Sequence, residues 1–272
     1  MSNPHSRVRI VPILKRKKVG VPVSAPQEKE KVEVFEGDVP APPANARLTY
    51  NGGALIQNVT VYTIFWGSGW AGDAAMKTVM AQVNQFFTDI LVSPLIDQLS
   101  EYNVSGKYTI GHGSLAGTIV ITDGAPGAGS TIEDAAVQTT LTGWINAGRV
   151  PGTTPNMLYF IYFDKGVVVS MEGGSSCSDF CGYHDAIGGN TYYAVMPYPS
   201  CDGCLAGLSA IDALTGTSSH ELCEAITDPV PPNGWYDQNN NMEIGDLCAW
   251  TFKKVGGHNV QLEWSNKANK CI

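Results

Sequence analysis

The sequence lacks several features that would have placed it in a defined class. No stretch approaches the roughly 18 consecutive apolar residues that a membrane-spanning helix requires, so we expect no membrane span. It contains neither a glycine-rich nucleotide-binding loop nor a detectable internal repeat. The apolar stretch at residues 8–14 is short and is interrupted by Arg9 and Pro12, so we expect no signal peptide.

Basic residues are scarce outside the N-terminal segment. Residues 51–272 contain eight Lys or Arg and twenty Asp or Glu, which gives them a net charge of −12. Because an acidic protein repels phosphate groups, we expect no nucleic-acid partner. The basic run at residues 15–18 is typical of a solvated tail.

The composition nevertheless favours folding by burial. Of the 272 residues, 43% are hydrophobic and 15% are charged. Residues 1–46 alternate charges with proline and predict a flexible leader, with a candidate role as an inhibitory pro-segment. Residues 47–272 predict one α/β (mixed α+β) domain of metallohydrolase type, with a central mixed sheet, an active-site-type helix and a loop-rich C-terminal part.

Hydrophobic periodicity supplies the expected elements. The patterns predict helices at residues 73–91, 130–147 and 207–228, and strands at residues 58–66, 108–122, 156–163, 167–171, 191–196 and 260–264. We expect the helix at 130–147 to begin with a capping box formed by Ser130 and Glu133. We expect residues 108–122 to form a pair of strands interrupted at Gly113.

The predicted helix at residues 207–228 contains a candidate metal site. Its residues 219–224 read SHELCE, and side chains four residues apart share one helix face, so His220 and Glu224 could bind one cation together. Glu221 occupies the position from which metallopeptidase helices reach a metal-bound water, which makes it the candidate general base. This HExxE motif has glutamate where zinc hydrolases often have a second histidine, and zinc accepts carboxylate oxygen.

A catalytic zinc needs a third protein ligand. Glu243 follows Glu224 by 19 residues, close to the separation in thermolysin-like enzymes, and Asp246 could then orient His220. The roles of Glu243 and Asp246 could also be exchanged. Asp228, two helical turns after His220, is a further candidate ligand.

The same acidic segment has a competing interpretation as a calcium loop. Met242 takes the position of the glycine that such a loop requires. We therefore expect an asparagine-rich turn in this segment and keep calcium as the alternative cofactor to zinc. The alternating oxygen-bearing side chains are Asp237, Asn239, Asn241 and Glu243.

A hydrolase also needs a donor for a developing oxyanion. Tyr236 and His184 are the candidates, with a packed aromatic residue and a structural histidine as the respective alternatives. Tryptophan side chains could line a substrate cleft or fill the core, and they lie at Trp66, Trp70, Trp235 and Trp250.

The cysteines are odd in number and clustered. The first four form a C-x3-C and a C-x2-C pair separated by 19 residues, which fits either a zinc knuckle or two local disulfides, and we favour disulfides. Cys248 could pair with Cys271 and leave Cys223 unpaired. Disulfides indicate an oxidising compartment, which conflicts with the missing signal peptide, so unconventional export and reduced intracellular cysteines both stay open. The cysteines are Cys177, Cys181, Cys201, Cys204, Cys223, Cys248 and Cys271.

Several stretches resemble the phosphate-induced, EXORDIUM-like proteins and occur in that family's order. They are LTYNGGALIQNVTVYTIFW at residues 48–66, CGYH at 181–184, YAV at 193–195 followed by Cys201 and Cys204, the helix end at Asp228-Pro229, and the closing Lys270-Cys271. The resemblance covers most of residues 48–272. It implies an extracellular or wall-associated, disulfide-bearing domain that in plants is linked to growth responses, and it implies no particular reaction.

The helix departs from the plant pattern, which often lacks the His-Glu pair. The metal hypothesis therefore rests on His220, Glu221 and Glu224, with a looser resemblance to zinc metallopeptidases in which a mixed sheet with an edge strand precedes the active helix. We predict an exported or extracellular zinc-dependent hydrolase, a metallopeptidase acting on peptide or protein substrates. The alternatives are a non-catalytic extracellular EXORDIUM-like binding or signalling protein and, for localisation, the cytoplasm. The oligomeric state stays open.

Overall fold

A mixed sheet flanked by helices forms the centre of the fold. The computed structural model describes residues 9–14, 39 and 41–272. The strands, in chain order, are β1 (Arg9–Pro12), β2 (Thr49–Tyr50), β3 (Asn58–Trp66), β4 (Gly111–Ile121), β5 (Thr131–Glu133), β6 (Met157–Phe163), β7 (Val168–Met171), β8 (Gly174–Ser175), β9 (Phe180–Ile187), β10 (Thr191–Met196), β11 (Trp235–Tyr236), β12 (Phe252–Val255), β13 (His258–Gln261), β14 (Trp264–Ser265) and β15 (Lys270–Cys271). The helices are α1 (Ser68–Gly72), α2 (Ala74–Ile90), α3 (Pro94–Gln98), α4 (Asp134–Asn146), α5 (Asp202–Leu205) and α6 (Ala210–Thr227), with 3-10 turns at Leu99–Tyr102 and Asp246–Cys248.

The central sheet has six strands in the order β1-β9-β10-β6-β3-β4. Strands β10, β6, β3 and β4 run parallel to one another, whereas β9 pairs antiparallel with both β10 and β1. The remaining strands form small separate ladders. This arrangement confirms the predicted mixed α+β class and the mixed central sheet.

Both faces of the sheet are covered by apolar side chains. Every residue of β6 is buried, which is typical of a central parallel strand. Successive side chains of a strand point to opposite faces, so Phe160 joins the cluster packed against α2 and α6, while Ile161 joins the cluster packed against α4. Among the described residues, no helix is both long and apolar enough to cross a membrane.

Helix α6 lies against the sheet and is enclosed along most of its length. It begins after Ser209, whose hydroxyl accepts a hydrogen bond from the backbone N–H of Asp212 at 3.2 Å. It ends at Thr227, because Pro229 disfavours helical geometry at the preceding Asp228. Residues 213–227 are all buried, so the polar side chains of this helix face the protein interior.

The N-terminal segment contributes the edge strand β1. Its register pairs Arg9 with His184 and Val11 with Gly182 on β9. Residues 9–14 therefore depart from the flexible leader expected for residues 1–46. The expectation for residues 1–8, 15–38 and 40 lies outside the described residues.

Three predicted details differ in the structure. Residues 108–122 contain one strand, β4, in place of the predicted pair, although one irregularity in its pairing with β3 lies between Gly111 and Ser114 and so includes Gly113. The capping box of Ser130 and Glu133 is wrong, because residues 131–133 pair with β7 as strand β5 and α4 starts only at Asp134. The strand predicted at 260–264 is divided between β13 and β14.

Candidate metal centre

Helix α6 brings a histidine and two glutamates together. His220 Nε2 lies 3.0 Å from Glu224 Oε1, as the spacing of four residues predicts. Glu221 belongs to the same group, because each of the three side chains offers one donor atom within 4.8 Å of the others. All three are fully buried. The helix therefore presents imidazole and carboxylate donors inside the protein.

His184 enters this cluster from strand β9. Its Nδ1 lies 2.9 Å from Glu221 Oε2 and 3.7 Å from Glu224 Oε2, and its Nε2 lies 3.1 Å from the backbone carbonyl oxygen of Asp228. An imidazole that donates one N–H to a backbone carbonyl can offer its other nitrogen to a metal. The structure therefore places His184 among the candidate ligands, whereas the sequence suggested it as an oxyanion donor or a structural histidine.

Gln261 of strand β13 holds the other histidine. Its amide nitrogen lies 2.9 Å from His220 Nδ1 and donates to the carbonyl of Gly245 at 2.9 Å. Its amide oxygen accepts the backbone N–H of Trp250 at 3.2 Å. In this orientation His220 accepts at Nδ1, while its Nε2 lies near Glu224 Oε1 but has no hydrogen-bond partner among the described residues. A cation at Nε2 needs the imidazole proton on Nδ1, which requires the Gln261 amide group to rotate.

The loop after β11 completes the cluster with two acidic residues. Glu243 Oε1 lies 3.7 Å from His184 Nε2, and donors of Glu243, His184 and Glu224 lie within 4.8 Å of one another. The backbone N–H of Asp246 donates to Glu224 Oε1 at 3.0 Å, and Asp246 Oδ1 lies 4.0 Å from His220 Nε2. Both residues named from the sequence are thus brought to the cluster, Glu243 beside His184 and Asp246 beside His220.

Three carboxylate oxygens of the cluster have no hydrogen-bond partner among the described residues. They belong to Glu221 (Oε1), Glu224 (Oε2) and Asp228 (Oδ2). The other oxygen of Asp228 accepts the backbone N–H of Gly234 at 2.7 Å. A buried carboxylate oxygen without a partner is costly, and a bound cation would remove that cost. The donor set therefore fits a metal ion.

Burial and mutual charge shift the pKa values of these groups. Burial acts to lower the pKa of His184, but Glu221 and Glu224 outweigh it and raise this pKa to about 9. Burial raises the pKa of Glu221, and it raises the pKa of Asp228 to about 7. Burial also acts to raise the pKa of Glu224, but the imidazoles outweigh it and the pKa is lowered. The cluster therefore stabilises positive charge at its centre, as a cation site must.

The cluster is closed on most sides but touches a cavity at one residue. His184, His220, Glu224 and Glu243 are at most 1% exposed. The Asp246 side chain is 11% exposed and lines a cavity of about 250 Å³. Residues 12–14 and 41–43 form part of the cavity wall, together with Leu247 and Trp250. Asp246 thus connects the buried donors to a space that can hold water.

Six of the seven cysteines form disulfides. Two of the three pairs connect the C-x3-C motif to the C-x2-C motif and do not lie within either motif, and the third is the expected Cys248–Cys271 pair. Cys223 is the free cysteine and is buried. Cysteines in disulfides cannot bind zinc as thiolates, so the zinc-knuckle alternative is wrong. The disulfides are Cys177–Cys201, Cys181–Cys204 and Cys248–Cys271.

The segment considered as a calcium loop forms an asparagine-rich turn. Asp237 Oδ1 accepts the backbone N–H groups of Asn239 at 3.0 Å and Asn240 at 3.2 Å. The Tyr236 hydroxyl donates to Asn241 Oδ1 at 2.7 Å, so it is directed towards this turn. These bonds use oxygens that calcium would need, and the geometry favours the turn. The role of Tyr236 as an oxyanion donor stays a prediction.

Comparisons with known proteins do not identify the chain. No model of a protein family matches it, and no curated protein matches it. The residues of the cluster are therefore the basis for a functional inference. The sequence does not predict the role of Gln261, because no motif links a strand glutamine to a histidine 41 residues away.

Proposed function

We propose that this chain is a zinc-dependent hydrolase, a metallopeptidase whose zinc is held by His184, His220, Glu224 and Glu243 with Asp246 beside them. One observation carries the proposal: imidazole and carboxylate donors from α6, β9 and the loop after β11 converge on one buried place. Solvated acidic groups on a helix would not meet donors from two other segments. Imidazole with carboxylate is a donor set that zinc accepts.

The residues of the chain have distinct roles in this proposal. Zinc, when bound, supplies a water of lowered pKa. Glu221 is the proton acceptor, because its Oε1 has no hydrogen-bond partner among the described residues while its Oε2 contacts His184. The carbonyl of Asp228 and the side chain of Gln261 orient the two imidazoles.

Substrate reaches the site through the cavity beside Asp246. The wall of that cavity includes residues 12–14 and 41–43, which belong to the N-terminal segment. The backbone N–H of Leu14 donates to the carbonyl of Gly203, and the Trp250 indole N–H donates to the carbonyl of Pro12 at 2.8 Å. The N-terminal segment therefore shields the site in the manner of an inhibitory pro-segment.

The test is hydrolysis of a mixture of fluorogenic peptides by the zinc-loaded full-length chain. Glu221→Gln keeps the size of the side chain but removes the proton acceptor, so hydrolysis should fall by at least about 100-fold while the chain still binds zinc. Glu133→Gln, at an exposed position, is the matched control and should hydrolyse like the parent. Equal hydrolysis by the parent and Glu221→Gln would contradict the proposal.

A second candidate is a non-catalytic exported binding or signalling protein of the EXORDIUM-like kind, with a structural metal. The complete burial of His184 and His220 favours it, because structural zinc sites are closed whereas catalytic sites keep an open position. The three disulfides are typical of an oxidising environment and support export for either candidate. Zinc that is retained without any peptide hydrolysis would favour this second candidate.

A further inference from the structure

The cluster holds more donors than a single zinc ion can use. Zinc in proteins takes about four ligands. Two groups of three residues each satisfy the spacing of a metal site: one joins His184 and Glu243, the other joins His220 and Glu221, and Glu224 belongs to both. The sharing of one carboxylate by two sets of donors is the arrangement of a dinuclear centre.

The two oxygens of Glu224 face different histidines. Oε1 lies 3.0 Å from His220 Nε2, and Oε2 lies 3.7 Å from His184 Nδ1. Oε1 also accepts the backbone N–H of Asp246, which fixes the carboxylate plane. Oε2 has no hydrogen-bond partner among the described residues. Each oxygen can therefore serve a separate ion.

The charge of the buried groups also exceeds what one dication neutralises. Glu221, Glu224, Asp228 and Glu243 are fully buried, and Asp246 is nearly so. When bound metal displaces the protons of the cluster, five ionised carboxylates with two neutral imidazoles carry a charge of −5. One dication leaves −3 in the protein interior, whereas two leave −1, and uncompensated buried charge is strongly unfavourable.

We propose that the cluster binds two divalent metal ions bridged by Glu224, one shared with His184 and Glu243 and the other with His220 and Glu221. This inference rests on the proposed metal-binding function and extends it to a second ion. Two imidazoles with four carboxylates, here including Asp246, match the donor count of carboxylate-bridged dinuclear proteins. Such donors suit zinc, manganese and ferrous iron.

The test measures metal stoichiometry in the full-length chain loaded with Mn²⁺ and freed of excess by dialysis. We expect two ions per chain and an electron paramagnetic resonance spectrum broadened by spin coupling between them. His184→Gln and His220→Gln keep side-chain size, and each should retain one ion with the six-line spectrum of isolated Mn²⁺. His112→Gln, at a histidine that is half exposed, is the control and should retain two.

The outcomes separate this inference from the proposed function. One uncoupled ion in the parent chain would overturn the dinuclear centre but leave a metal site. No bound metal in the parent, after loading with Mn²⁺ and also after loading with Zn²⁺, would overturn both. The parent spectrum alone decides between these results if a histidine variant fails to fold, because spin coupling requires two neighbouring ions.

Discussion

His184 and Glu221 are 37 residues apart in the sequence, yet His184 Nδ1 lies 2.9 Å from Glu221 Oε2 in the core. Both side chains are fully enclosed, so the contact fastens strand β9 to helix α6 in a place without solvent. It also fixes the position of the proposed general base. The relationship therefore has consequences for stability as well as for metal binding.

Replacement of His184 should separate these two consequences. In the presence of a chelator, His184→Ala should lower the free energy of unfolding by about 3 kcal/mol, because it leaves the buried Glu221 carboxyl without its partner. His184→Gln retains an amide donor and should lose much less, although both variants should bind less metal. Urea unfolding measures the free energy of unfolding of each variant. If both variants lose the same free energy, the contact between His184 and Glu221 does not stabilise the fold.

Gln261 should act as a positioning residue for His220. Metal binding at Nε2 puts the imidazole proton on Nδ1, where an acceptor from residue 261 is needed. Gln261→Leu should weaken metal binding by about tenfold, whereas Gln261→Glu, which supplies an acceptor, should bind at least as tightly as the parent. Competition with a zinc-binding dye measures the zinc affinity of each variant. If the leucine and glutamate variants bind zinc equally tightly, Gln261 does not position His220.

Strand β1 should limit exchange of the metal. Val11 is 2% exposed and belongs to a small group of buried apolar side chains that includes Trp250. Val11→Asp should undock the strand, because a buried unpaired carboxylate costs several kcal/mol, and zinc removal by a chelator should accelerate by about tenfold or more. Val92→Asp, at a residue that is 55% exposed, is the control. Identical removal rates in all three proteins would mean that β1 does not shield the site.

Gly182 should be required for the approach of β9 to α6. A Cβ atom at this position would lie 2.7 Å from Thr217 Cγ2 and 2.9 Å from Met196 Cε. Gly182→Ala should therefore destabilise the fold by about 1–3 kcal/mol. Gly143→Ala, in α4 with open space around it, should instead stabilise by about 0.5–1 kcal/mol. Urea unfolding of the two variants compares them, and a neutral Gly182→Ala would show that this contact is not tight.

The elements with strong local periodicity could be predicted from the sequence. Strands β3 and β10 have the predicted bounds, and α2 begins and ends within one residue of the prediction. Local signals failed where distant pairing decided the structure. Thr131–Glu133 resembles the start of a helix but pairs with β7, and β9 carries a glycine and a histidine that weaken its strand pattern.

The candidate site was predictable only within its helix. The four-residue spacing of His220 and Glu224 is a property of helix geometry, so their meeting follows from the sequence. The contacts of His184 and Gln261 depend on how β9 and β13 pack against α6, which no local pattern encodes. The enclosure of the cluster likewise depends on packing, including that of strand β1, which pairs with a strand about 170 residues later.

Anomalous scattering at the zinc absorption edge, from crystals of the zinc-loaded chain, tests the central claim most directly. We expect anomalous density among His184, His220 and Glu224, with coordination by Glu243. Density at another place, such as the turn at Asp237, or no density within the cluster would contradict it.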